Sequence, residues 1–297
     1  MARQKKTDLA ARYRVEEGKK FRLKEIDPGD TANFESKESA AKQTEESIAK
    51  ICQLQETLYA QGEWSLLLVF QAMDAAGKDG TIKHVLSSVD PQGCDVTPFK
   101  APTSRELSHD FLWRASIALP ERGRIGVFNR SYYEEVLVAR VHPELLEKQK
   151  IPKTLRTKQI WRERFESIND YERHLARSGT VVLKFFLHVS REQQAKRLLE
   201  RLDEEEKNWK FEAGDLAERK LWNDYMEAYE EMVQATATKD APWHVVPADH
   251  KWFTRLVVSA VIIEKLKSLG LKFPELTLEE KAQLTVAREA LMADGGK

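Results

Sequence analysis

The residues best suited to chemistry lie in one short run, Gln71-Ala72-Met73-Asp74-Ala75-Ala76-Gly77-Lys78-Asp79-Gly80-Thr81. An apolar stretch precedes it and a helix-forming stretch follows, the context of a loop that cradles phosphate. Backbone N–H groups at a helix N-terminus point at an anion, and the helix dipole favours negative charge there. Ala75, Ala76 and Gly77 let the backbone approach closely. Lys78, Asp79, Gly80 and Thr81 open the helix, and Lys78 adds a full positive charge. The match to G-x-x-x-x-G-K-[ST] is incomplete, because Ala72 holds the first glycine position and Asp79 the hydroxyl position. A tight strand-to-helix turn with a surface lysine is the other reading. Asp74 favours the first, since a carboxylate beside phosphate calls for a cation between them. Mg²⁺, a hard ion with oxygen ligands, is the expected mediator, with Mn²⁺ as a substitute.

A second cluster follows Arg124-Ile125-Gly126-Val127-Phe128, in Asn129-Arg130-Ser131-Tyr132-Tyr133-Glu134-Glu135. Open α/β sheets bind ligands at the carboxyl ends of their strands. Arg130 there can clamp a transferring phosphate or pair with Glu134 or Glu135. Asn129 stands where phosphate-loop proteins carry an acidic metal partner. Arg197 and Arg201, four apart, share a helix face near Lys207 and Lys210. They form either a charged surface helix or a lid that brings arginines to phosphate on closure. His188 reads as a packed histidine rather than a base.

These residues need a scaffold, and the apolar runs supply one. Trp64–Phe70, Cys94–Phe99, Arg124–Phe128, Val181–Val189 and Trp243–Val246 are short and alternate with helical segments, which predicts a parallel sheet covered on both faces. Helices are expected over Ser36–Ala60, Gly80–Ser87, Leu107–Leu119, Lys153–Leu175, Glu192–Leu202 and Trp252–Leu269. Ser190 with Gln193, and Thr277 with Glu280, have capping-box spacing. The division expected is an arm and helix over 1–60, a core over 61–270 with a charged lid near 203–239, and a helical tail over 271–297. The basic start of the arm is either a tail packed on the domain or a grip for a polyanion. A frayed end is expected at Gly295-Gly296.

Bulk composition excludes several classes. The 297 residues carry 48 Lys+Arg and 48 Asp+Glu, so net charge implies no polyanion partner, and no nucleic acid is expected. No stretch approaches a membrane span or a secretory leader, and Cys52 and Cys94 fit no metal spacing, so buried thiols and a cytoplasmic location are expected.

Taken in order, the segments AMDAAGKDGTIKHV, FKAPTSRELSHDFLWR, GRIGVFNRSYYEEVLVARVHPE, KFFLHVSREQQAKRLLERL with KNWKFEAGD, and APWHVVPADHKW resemble the polyphosphate kinase 2 family. The resemblance runs from about Trp64 to Leu269, and the Asn-Arg-Ser-Tyr-Tyr-Glu-Glu form looks most like its class III branch. It implies an α/β P-loop kinase fold, with a five-stranded parallel sheet between helices, thymidylate-kinase-like, and a helical lid. It also implies transfer of phosphate between inorganic polyphosphate and nucleoside mono- or diphosphates with Mg²⁺, in a homo-oligomer. By resemblance, Asp74 serves the metal, and Lys78, Arg130 and the lid residue Arg201 are catalytic. Asn129, Glu134 and Asp215 face the nucleotide, and Glu134 bears on acceptor choice. Asn129 departs from the aspartate of many members, which weakens a second acidic metal ligand. An ATP-dependent nucleoside monophosphate kinase on the same fold is the alternative, and a non-catalytic polyanion binder is a third reading.

Overall fold

The computed structural model describes residues 8–211 and 214–294. The basic start of the arm (1–7), the Gly295-Gly296 end and the Lys210 side chain lie outside the described residues. A six-stranded sheet forms the centre, in the order β1 (Arg14–Val15), β6 (Trp243–Pro247), β5 (Thr180–His188), β2 (Ser65–Ala72), β4 (Ile125–Asn129), β3 (Cys94–Pro98). The five expected strands are all present with ends shifted by at most two residues, and they run parallel. β2 is central and wholly buried, with Leu66, Leu67, Leu68 and Val69 at zero exposure. Its neighbours align Phe70 with Asn129 on one side and with Phe185 on the other.

The sixth strand corrects the five-stranded expectation. β1 belongs to the arm and pairs antiparallel with β6, Arg14 opposite His244. The arm is packed on the domain through buried Leu9, Tyr13, Phe21 and Leu23. Gly18 permits its close approach, since a Cβ there would stand 2.3 Å from the Gln234 carbonyl oxygen.

The helices that support the sheet form where apolar periodicity and caps agree. Ser36 caps helix Lys37–Gln61 and exchanges hydrogen bonds with Ser39. Helix Lys251–Ser268 packs on it and on helix Lys78–Val85. Across the sheet from β5, Lys184 and Phe186 meet helices Ile160–Arg177 and Trp222–Thr236. Ser190 caps helix Arg191–Asp203 by accepting from the Gln193 N–H.

Three expected elements differ. The helix over Leu107–Leu119 is reduced to short turns at Glu106–Ser108 and Trp113–Ser116. His109 is extended, and the Asp110 carboxylate takes the Leu112 N–H, a local bond that competes with helix. The helix expected from Lys153 starts at Ile160, because Thr157 captures the Gln159 N–H ahead of it. The charged span expected as a lid is also shorter on the outside. Trp222–Thr236 belongs to the core, with Met232 and Val233 fully buried, which leaves the turn Glu205–Lys210 and helix Gly214–Lys220 as its outer part.

Helix Leu278–Asp294 starts at the expected Thr277–Glu280 box but buries none of its residues. Cys52 and Cys94 are free and half-buried rather than buried. Among the described residues no helix is long and apolar enough to cross a membrane.

Candidate active site

The carboxyl ends of β2, β4, β5 and β6 converge on one edge of the sheet, and the 71–81 loop meets Asn129, Arg130 and Glu134 there. β2 delivers the chain into the 71–81 loop. Ala75 at φ 60° and Gly77 at φ 102° take left-handed backbone, and helix Lys78–Val85 begins directly after. The first intrahelical bond is Thr81 N–H to the Gly77 carbonyl, 3.0 Å. Helix geometry leaves the N–H groups before it without intrahelical acceptors, a cradle for an anion. Lys78 is buried and donates from Nζ to the Ala72 carbonyl at 2.8 Å. Burial, then Arg130, lowers its pKa, against the opposing pull of Asp74, Glu134 and Asp79.

β4 brings the second cluster to the same point. Arg130 takes φ 63°, a conformation costing a non-glycine residue about 1–2 kcal/mol. Such strain persists only where the surroundings impose it. Its N–H donates to the Phe70 carbonyl at 3.1 Å, tying β4's end to β2's. Its guanidinium lies 2.9 Å from Asp74 and 3.8 Å from Glu134. The Glu134 carboxyl is largely withdrawn from water, which raises its pKa, while Arg130 and Lys78 pull it back down. The Gln71 amide nitrogen donates to Glu134 at 2.8 Å, and its oxygen accepts from the Ser131 N–H. Asn129 Nδ2 donates to Asp79 at 2.7 Å. The ion pair and the clamp geometry are therefore not exclusive: Arg130 pairs with carboxylates while sitting at the loop.

The two helix arginines part company. Arg197, 4% exposed, donates to the carbonyls of Ala75 and Ala76 and to those of Ala248 and Asp249. It braces the loop against the end of β6 and is not on a surface face. Gln194 on the same helix donates to the Asp74 carbonyl and accepts from Arg219 of helix Gly214–Lys220. Arg201 pairs with Asp215 at 3.2 Å, so two expected site residues meet each other across the outer segment. On the core helix Trp222–Thr236, burial pushes the Tyr225 and Tyr229 phenols up; Glu218 adds to this at Tyr225, and Glu134 and Asp74 add to it at both.

Cations continue beyond the loop. A Cβ at Gly80 would lie 3.8 Å from Arg255 Nη2. Burial, then Arg197, lowers Lys251, which also senses Lys207 and Arg255. Burial lowers His84, which senses Arg255 and Lys37. Arg255, Lys251 and the loop brace Gln194 were not singled out by motif. Only the spacing of Lys251 and Arg255, four apart on one helix, offered a signal. Two hollows of about 580 and 400 Å³ elsewhere include no residue of the 71–81 loop. Charge convergence marks this site.

The donor set suits Mg²⁺. No group of three or more His, Cys, Asp or Glu forms a metal cage among the described residues. Mg²⁺ is ordinarily held by one or two carboxylates together with substrate phosphates, and Asp74, 32% exposed beside the cradle, is placed where such a carboxylate would stand.

Residues 34–273 match the family model described as polyphosphate kinase 2. The chain is 50% identical, over 94% of its length and 97% of the relative's, to an ADP-polyphosphate phosphotransferase of Rhodopseudomonas palustris. It is 45% identical, over 89% and 95%, to an AMP/ADP-polyphosphate phosphotransferase of Meiothermus ruber. Its fold superposes on the crystal structure of polyphosphate kinase 2 from Arthrobacter aurescens with a TM-score of 0.85 and 40% identity, covering 94% and 96% of the two chains. With the family model matching residues 34–273 and nearly full-length matches in sequence and fold, the chain belongs to the polyphosphate kinase 2 family.

Proposed function

We propose that this enzyme is a polyphosphate:nucleotide phosphotransferase, moving phosphate between inorganic polyphosphate and a nucleoside mono- or diphosphate with Mg²⁺, in the manner of the class III branch. The observation that carries this reading is the meeting of Lys78, Arg130 and Asp74 beside the N–H cradle, with Arg255 and Lys251 extending the positive charge past the loop. An ATP donor ends after three phosphates, whereas a polymer needs cations further along. The relatives' names favour this reading over an ATP-dependent nucleoside monophosphate kinase.

Phosphoryl transfer asks little covalent work of a protein; it asks for alignment and neutralised charge. The Gly77–Thr81 backbone and Lys78 hold donor oxygens, with Lys78 exchanging the Ala72 carbonyl for phosphate. Arg130 turns from Asp74 toward the transferring group and disperses its charge. Mg²⁺, which Asp74 would hold, would supply positive charge that offsets the charge of the phosphates. Glu134 and Asn129 face the acceptor nucleotide. The outer segment 204–221, whose Asp215 meets Arg201 of the preceding helix, acts as the lid, and the enzyme works as a homo-oligomer.

Lys78→Ala and Arg130→Ala should each lower turnover by roughly 10²–10⁵-fold. Near-normal turnover in both would remove the site assignment.

A further inference from the structure

A second charged cluster lies wholly inside the protein, behind the site. Lys184 is at zero exposure in the middle of β5, and Glu172, on helix Ile160–Arg177, is 1% exposed. Lys184 Nζ donates to Glu172 Oε2 at 2.6 Å, to the Thr236 carbonyl at 2.7 Å and to the Tyr133 hydroxyl at 3.0 Å. Glu172 Oε1 accepts from Tyr132 at 2.8 Å and from Tyr133 at 2.7 Å. All three ammonium protons and both carboxylate oxygens are therefore engaged.

Stability is a weak reason for such a cluster. Taking two charges out of water is expensive, and an apolar set of the same shape often holds a fold as well or better. What the ion pair can add is a fixed geometry. The two tyrosines it grips lie between Arg130 and Glu134 in the chain. Both are fully buried, so the turn between Arg130 and Glu134 hangs from this anchor, with Arg130 paired to Asp74 and Glu134 3.8 Å from Arg130. Arg130 also holds a left-handed backbone that its surroundings must impose.

We propose that Lys184 and Glu172 are positioning residues for phosphoryl transfer, acting through Tyr132 and Tyr133 to hold Arg130 at the phosphate. The proposal rests on the reading of Arg130 as the group that meets the transferring phosphate. Misplacement of such a group by about 1 Å can cost on the order of 10²-fold in rate. Donor binding by the loop and Lys78 does not pass through the anchor, so the effect falls on kcat.

The test compares Tyr133→Phe, Glu172→Gln and Lys184→Met, each alone and combined with Arg130→Ala, in steady-state assays with polyphosphate and ADP, alongside thermal unfolding. The expected result is a kcat reduced by roughly 10–100-fold with KM for polyphosphate little changed. Added to Arg130→Ala, the same substitutions should cause no further loss. Tyr133→Phe keeps the ion pair and decides the matter if Lys184→Met does not fold. Folded variants with kcat within about twofold of the parent, while Arg130→Ala is impaired, would overturn the positioning role alone. So would losses that multiply with Arg130→Ala. Normal turnover in Arg130→Ala would overturn both the positioning role and the reading of the site beneath it.

Discussion

Arg130 Nη2 and Asp74 Oδ1 lie 2.9 Å apart, joining the end of β4 to the loop that follows β2. The pair keeps a cation and an anion at the same spot, each masking the other. On the proposed reading, a phosphate donor with Mg²⁺ would offer both a better partner: Asp74 would hold the metal and Arg130 would meet the phosphate oxygens. The contact reads as the resting form of a site that rearranges by exchange of charges.

Asp74→Asn should therefore break the exchange while keeping the side-chain shape. Turnover is expected to fall about 10²-fold or more, and activity should require a higher Mg²⁺ concentration. A Mg²⁺ titration of the variant checks this; an unchanged midpoint would argue that Asp74 does not serve the metal.

Arg197→Met should destabilise the loop. Four carbonyls lose the donor that ties 75–76 to 248–249. The expected cost is about 2–4 kcal/mol in urea unfolding, given roughly 1–3 kcal/mol for each unsatisfied buried group, partly regained from relaxation. Arg197→Lys should recover little, because a single ammonium does not span two pairs of carbonyls.

Lys251→Ala combined with Arg255→Ala tests the extended cation line. KM for long-chain polyphosphate should rise about tenfold or more, with a smaller change for a short oligophosphate and kcat nearly unaffected. Two surface-type charge contacts at about 1 kcal/mol each set that scale. Equal effects on long and short donors would confine the donor to the loop.

Acid should unfold the protein through two buried histidines. His188 is pushed down to about 4 and His244 to about 3, both chiefly by burial. Each folded value lies below the ordinary value of about 6.5, so the unfolded chain binds the proton first. The stability they contribute is full above that ordinary value and is lost as pH falls toward the folded values, at up to about 1.4 kcal/mol per pH unit for each. Unfolding free energy measured from pH 7 to 4 should fall with this slope, and His244→Phe should flatten it by about one proton.

The strands were readable because buried parallel strands are short apolar runs, and β2, β4 and β5 are nearly that. Gly77, Lys78, Asp74 and Arg130 were readable because each follows such a run at a strand's carboxyl end. Other features left weaker traces. Asp110 breaks a helix through its own side chain, which composition does not reveal. In Trp222–Thr236 the apolar residues Trp222, Tyr225, Tyr229, Met232 and Val233 keep helical spacing, but the surrounding glutamates made the segment look like surface. Arg197 and Arg201 share a helix face, yet one braces the loop and the other meets Asp215. Only tertiary placement separates them. Lys184 did leave a trace, a lone charge inside the apolar run of β5.

The most direct measurement is a donor-by-acceptor matrix with purified enzyme, with and without Mg²⁺. Polyphosphate and ATP serve as donors, and AMP, ADP, GMP and GDP as acceptors. The expected result is Mg²⁺-dependent formation of nucleoside di- or triphosphate from polyphosphate, abolished by Lys78→Ala. Transfer from ATP to AMP with no transfer from polyphosphate would contradict the account.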